Sequence, residues 1–174
     1  MLKMPVTIWH MELTSPGEFR PSLKRPRYAL ARMTTAAPEF LRFLYQTVGE
    51  EWHWTDRLAW TRDQWAARLA DAEVEVWTAW DEGAPVGYFE LARHSDGTLE
   101  IAYFGLLPHA TGQGHGGPLL SDAVRRAWEL EAKRVYVNSC SLDHPRAMDN
   151  YQARGFRVFR EEVREKAVAT SGSS

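Results

Sequence analysis

No stretch restricts the fold more than Thr98 to Leu120, TLEIAYFGLLPHATGQGHGGPLL, where strand-forming residues run into a glycine-rich bend and then into a helical pattern. Gly112, Gly114, Gly116 and Gly117 let the main chain come close to a ligand. The helix that follows offers its first unpaired N–H groups and the positive end of its dipole. Together these make an anion site, and a diphosphate is its natural guest.

That helix carries Leu119, Leu120, Ala123, Val124, Ala127 and Trp128 on one face, with Pro118 tolerated in the first turn, so it lies against a sheet. The next strand is Arg134 to Cys140, parallel to the first through a right-handed crossover. Upstream, Glu73 to Trp80 alternates, Asp81 to Pro85 turns, Val86 to Ala92 forms a second strand, and Ser95-Asp96-Gly97 makes a hairpin into Thr98. Three consecutive antiparallel strands joined to one parallel neighbour predict an α/β mixed sheet, mostly antiparallel with one parallel pair, flanked by about four helices.

The remaining elements follow from local signals. Val6 to Leu13 is a short strand, and a breaker-rich connector with Pro16, Pro21, Lys24, Arg25 and Pro26 leads to an extended run from Arg27 to Met33. Thr35 to Val48 is helical. Thr61 with Gln64 forms a capping box, with Trp60 and Trp65 as a hydrophobic staple, for a helix to about Leu69. Asp143-His144-Pro145 opens a helix that Gly155 stops, and Phe156 to Val163 is the last strand. The divisions are an N-terminal strand or arm at 1–26 packed on the domain, a main domain at 27–163 and a disordered tail at 164–174.

Composition excludes several classes of function. Twenty-one Lys and Arg against 23 Asp and Glu leave a net charge of −2, which offers no basic footprint for nucleic acid and no polybasic run for a membrane. One cysteine, Cys140, rules out a disulfide framework and fits a cytoplasmic setting. The six histidines lack metal-ligand spacing, so no metal is expected. Strand ends near the C-terminus leave a homodimer open.

Two motifs in order carry a resemblance. Gly112-Gln113-Gly114-His115-Gly116 precedes the helix with Leu119-Leu120, and downstream come Ala147, Tyr151, Gly155 and Phe156. Over residues 27–163 the chain resembles the GNAT superfamily of N-acetyltransferases, with Thr111 where that family usually has Gln or Arg and His144 where it commonly has Asn. The resemblance implies the GNAT fold, acetyl-CoA as acyl donor and a primary amine of a small molecule or peptide as acceptor. It places Thr111, Gly112, Gln113, Gly114, His115, Gly116 and Gly117 around the diphosphate. Phe104 N–H would face the thioester oxygen, Leu106 the pantetheine arm, and Gly105 would supply a bulge opening the two parallel strands. Asn138 could bond the arm, and Tyr151 could protonate the leaving thiolate.

An amine with pKa near 10 is only about one part in a thousand neutral at pH 7, so its proton must be removed before attack. Glu100 stands where histone-acetylating members of the family carry a catalytic Glu, at the matching interval before Gly114. Glu90 on the neighbouring strand and a water are the other candidates. The aromatic loop with Trp52, His53 and Trp54 is a candidate acceptor wall and equally a packed loop. A Cys140 acyl-enzyme lacks an adjacent activating His. The other class of function left open is a CoA-binding module without catalysis.

Overall fold

The computed structural model describes residues 2–168. Its strands are β1 Leu2–Leu13, β2 Ala29–Arg32, β3 Val74–Asp81, β4 Ala84–Arg93, β5 Thr98–Leu106, β6 Arg134–Cys140 and β7 Arg157–Val168, and its helices are α1 Pro38–Gly49, α2 Arg62–Ala70, α3 Gly116–Glu129 and α4 Ala147–Ala153. One sheet runs in the order β2-β3-β4-β5-β6-β1-β7. β5 and β6 are parallel and the other neighbours are antiparallel. This is the mixed sheet expected, with four helices among the described residues.

The strand expected over Val6 to Leu13 forms and begins earlier, at Leu2. β1 lies inside the sheet, pairing Met11 with Val137 of β6 on one side and with Val158 of β7 on the other. Its Met11 and Leu13 are fully buried, which is why the segment takes an interior lane. The last strand is also longer than expected, since residues 164–168 pair with Leu2 to Val6. The remainder of the expected tail lies outside the described residues.

Two cores sandwich the sheet. On one face, here the back, α3 lays Leu119, Leu120, Ala123, Val124 and Ala127 on Leu91, Leu99, Ile101, Val135 and Val137. On the front face, Leu41, Leu44, Tyr45 and Val48 of α1 and Trp65 of α2 pack on Val74, Val76, Tyr88 and Ala92. α2 starts where the capping box requires: Gln64 N–H donates to Thr61 Oγ1 at 3.3 Å and Thr61 N–H to Gln64 Oε1 at 2.8 Å. The Trp60 and Trp65 rings meet at 4.9 Å as the staple. Gly155, with φ 101°, ends the turn after α4, and a Cβ there would collide with the Glu18 carbonyl oxygen.

Candidate active site at the β5/β6 fork

β5 and β6 pair only at Thr98–Arg134, Leu99–Val135 and Glu100–Tyr136. Beyond that register β5 stays on β4 as far as Leu106, while β6 follows β1 as far as Cys140. The strands therefore fork, and polar main-chain groups of Ile101 to Leu106 face the gap. The bulge sits elsewhere than expected. Glu90 pairs with Tyr103 and Leu91 with Ile101, which leaves Ala102 as the extra residue, whereas Gly105 pairs regularly with Tyr88. A bulge there increases the local twist of β5, next to the end of its pairing with β6. Gly105 serves another purpose. A Cβ at this position would collide with Val48 Cγ1, so the small residue lets α1 approach.

At the wide end of the fork, the bend before α3 is lined with free donors. The N–H groups of Gly112 to Gly117 make no hydrogen bond among the described residues. Gly112 and Gly114 hold φ of 78° and 84°, the left-handed dihedrals that turn successive amides to one side. Thr111 spends its hydroxyl locally, donating to Pro108 O at 2.7 Å, and Gln113 donates its side-chain amide to His109 O at 3.0 Å. Both contribute main chain here, and their side chains shape the bend. His115 is buried against Tyr28, and burial followed by the Arg27 charge lowers its pKa.

Charge reaches this bend from a segment whose role the sequence did not reveal. Lys24, Arg25 and Arg27 line a cleft of about 640 Å³ with Gly112, Gln113 and Gly114. Arg27 Nη2 donates to Gln113 O at 2.6 Å. Arg154 adds a fourth cation: its Nη1 lies 3.4 Å from where a Gly117 Cβ would sit. Its Nε and Nη1 are buried with no partner among the described residues, and burial lowers its pKa. The readable signal was the run Lys24-Arg25-Pro26-Arg27, three cations on a stiff connector.

The catalytic candidates fall in three places. Tyr151 of α4 is buried against Phe104, ring centroids 6.2 Å apart, so the fold brings the suggested acid beside the suggested oxyanion donor, and burial raises its pKa. Leu106 lies two residues further along the same open stretch. Glu100 stands at the closed end of the fork, its carboxylate 2.9 Å from His94 Nε2. Glu90 is committed elsewhere. It is fully buried, accepts from Arg57 at 2.8 and 2.7 Å and from Arg68 at 3.0 and 2.8 Å, and so pins the α1–α2 loop and α2 to β4. With four guanidinium N–H bonds and no exposed surface, its carboxylate braces this part of the fold.

The aromatic loop divides. Trp54 is packed, touching Tyr45, Tyr88 and Tyr103, and it fills the space a Gly49 side chain would need. Trp52 reaches across to His144, ring centroids 5.0 Å apart, so the α1–α2 and β6–α4 loops meet. His53 between them takes a left-handed φ of 57°. Asn138 is exposed on β6 and donates to Tyr136 Oη at 3.3 Å. Burial followed by the Asp143 charge pushes the Cys140 thiol up, which disfavours the thiolate. Asp143 accepts from Ser139 Oγ and Cys140 N–H, so it folds back on β6 rather than opening α4.

No helix among the described residues is long and apolar enough to cross a membrane. Among curated proteins no significant match is found. Among solved structures the chain is similar to a GCN5-related N-acetyltransferase from Kribbella flavida (TM-score 0.65, 18% identity, 91% of this chain and 56% of that one). It is similar also to one from Sphaerobacter thermophilus (TM-score 0.66, 20% identity, 94% and 52%). An aminoglycoside acetyltransferase from an uncultured soil metagenomic sample, in complex with trehalose, superposes with TM-score 0.62 at 15% identity over 85% and 97%. The chain spans only 52–63% of the length of four solved structures that it matches. Residues 38–156 match the family model described as acetyltransferase (GNAT) family, and with the forked sheet and glycine bend already in place the chain belongs to that family.

Proposed function

We propose that this chain transfers an acetyl group from acetyl-CoA directly to a primary amine of a small molecule or peptide. The observation that carries the reading is the fork with six unpaired amides at its wide end. The donor set suits CoA: amides of Gly112 to Gly117 for the diphosphate, Lys24, Arg25 and Arg27 for further phosphate charge, and the open edge of β5 around Leu106 for an extended amide-bearing arm. Acetyl-CoA supplies an activated thioester. Phe104 N–H is the proposed donor to its carbonyl oxygen as negative charge develops, and Tyr151 the proposed acid for the departing thiolate. Glu100 is the carboxylate nearest the closed end. Trp52 and His144 wall the acceptor side, where aromatic faces suit a cation.

The test combines calorimetry with thiol release from acetyl-CoA in the presence of a polyamine, an arylalkylamine and a lysine-containing peptide. The reading expects CoA binding and turnover with at least one amine. Binding without turnover on any of them would instead support a CoA-binding module.

A further inference from the structure

On the front face β6, β1 and β7 carry a row of polar side chains that the roles above leave unused. Tyr136 pairs with Glu100 in the last register before the fork opens, and Leu99 and Val135 beside them belong to the back core, so Tyr136 and Glu100 share the front. His10 of β1 sits opposite Asn138 of β6 and Arg160 of β7. The residue is only 8% exposed, with Nδ1 bonded to Tyr136 Oη and Nε2 2.6 Å from Glu162 Oε1. Carboxylate, imidazole and phenol therefore form a line across three strands, ending at the closed end of the fork.

The hydrogen-bond directions are determined by the ends of the line. Glu162 also accepts from Arg164 at 2.8 Å and Arg160 at 3.2 Å, and the His10 bond, followed by these arginines, draws its pKa down to about 2. An ionised Glu162 accepts Nε2–H from His10, and in the neutral imidazole this leaves Nδ1 as acceptor, so the Tyr136 hydroxyl donates to it. Asn138 Nδ2–H donates to the same oxygen at 3.3 Å, leaning it along β6 towards the open half. One lone pair of that oxygen remains for an incoming N–H.

We propose that Tyr136, backed by His10 and Glu162, is the group that takes the proton from the acceptor amine. This deepens the acetyl-transfer reading and rests on it. The N–H bond of the acceptor breaks as an O–H bond forms on Tyr136, and the original phenolic proton passes to His10 Nδ1. The resulting imidazolium is held by the Glu162 carboxylate, so a proton has moved and no net charge is created. Tyr136 is the catalytic residue, and His10 and Glu162 are positioning residues. Charged and titratable groups around the line are Glu12 of β1, Glu100 with its partner His94, Arg134 of β6 over the Tyr136 ring at 5.6 Å, and Arg160 and Arg164 of β7. The two β7 arginines oppose the imidazolium, and Glu12 and Glu100 favour it.

The experiment uses the full chain, thiol release with the three amines above at saturation, and CoA calorimetry. Tyr136→Phe should lower kcat by about 100-fold with CoA affinity unchanged, the scale expected for losing a general base. His10→Gln should lower kcat with CoA affinity and amine KM unchanged, and should add nothing in the Tyr136→Phe background, a non-additivity a merely structural histidine would not produce. Glu162→Gln should lower kcat in the same direction and likewise add nothing on top of Tyr136→Phe. Tyr136→Phe with kcat within two-fold of wild type, or His10→Gln lowering kcat as much in the Tyr136→Phe background as in wild type, overturns the relay alone. Wild-type protein that turns over none of the amines overturns the acetyl-transfer reading and the relay with it.

Discussion

Glu90→Gln separates a brace from a base. The wild-type carboxylate has no solvent exposure and takes four guanidinium N–H bonds, while the Arg57 side chain is 8% exposed and Arg68 24%. Gln keeps one acceptor oxygen and gains an NH₂ group; since Oε1 accepts one of the four bonds and Oε2 three, at least one donor would face another donor, and the buried Arg57 and partly buried Arg68 would lose their counter-charge. Breaking a buried pair by removing one partner costs about 3–5 kcal/mol. At a urea slope of about 2 kcal/mol/M this moves the unfolding midpoint down by roughly 1.5–2.5 M. Arg57→Met together with Glu90→Gln should cost less than the two changes summed, because the double variant leaves fewer unpaired buried charges. Urea unfolding followed by tryptophan fluorescence measures all three. A midpoint shift under about 0.5 M, or folded Glu90→Gln protein that has lost acetyl transfer, would refute the argument that this carboxylate is structural.

Three further outcomes are expected. Gly155→Ala should destabilise the chain by more than about 2 kcal/mol, from the left-handed backbone and the collision with Glu18 O, and a thermal midpoint within about 2 °C of wild type would contradict it. Lys24→Ala with Arg27→Ala should weaken CoA binding by about 10- to 100-fold, more at low salt than at high, by calorimetry; unchanged affinity would remove the connector from the site. Glu162 has a folded-state pKa of about 2, below its ordinary 4.5. Its contribution is present above the unfolded value and is lost as pH falls through the folded one. Thermal melts of wild type and Glu162→Gln should therefore differ at pH 6 and converge towards pH 2, and parallel curves would sink this assignment.

Local chemistry was legible where a short pattern has one structural answer. The Thr61 box, the glycine bend and the Tyr151-to-Phe156 spacing each depend on residues close together in the chain. Pairing between distant strands was not. Alternation in Val6 to Leu13 announces a strand but carries no label for its neighbours, and His10 meets Tyr136 from 126 residues away. Glu90 illustrates the same limit, because a strand glutamate reads identically whether a substrate or two arginines will face it. The basic connector looked like a linker since nothing local says that Arg27 will reach Gln113. Gly105 misled for another reason: close approach of Val48 and a bulge both call for glycine, and only coordinates tell them apart.

The interior position of β1 also governs the order in which the molecule can be completed. Its twelve residues precede β2 to β5 in the chain, yet both lanes beside them are filled by segments that follow all of those, β6 and β7. On the ribosome β1 must wait with its ladder unsatisfied until β6 and β7 have emerged. Deleting it would not shorten an edge; it would split the sheet and leave β7 with nothing to hold.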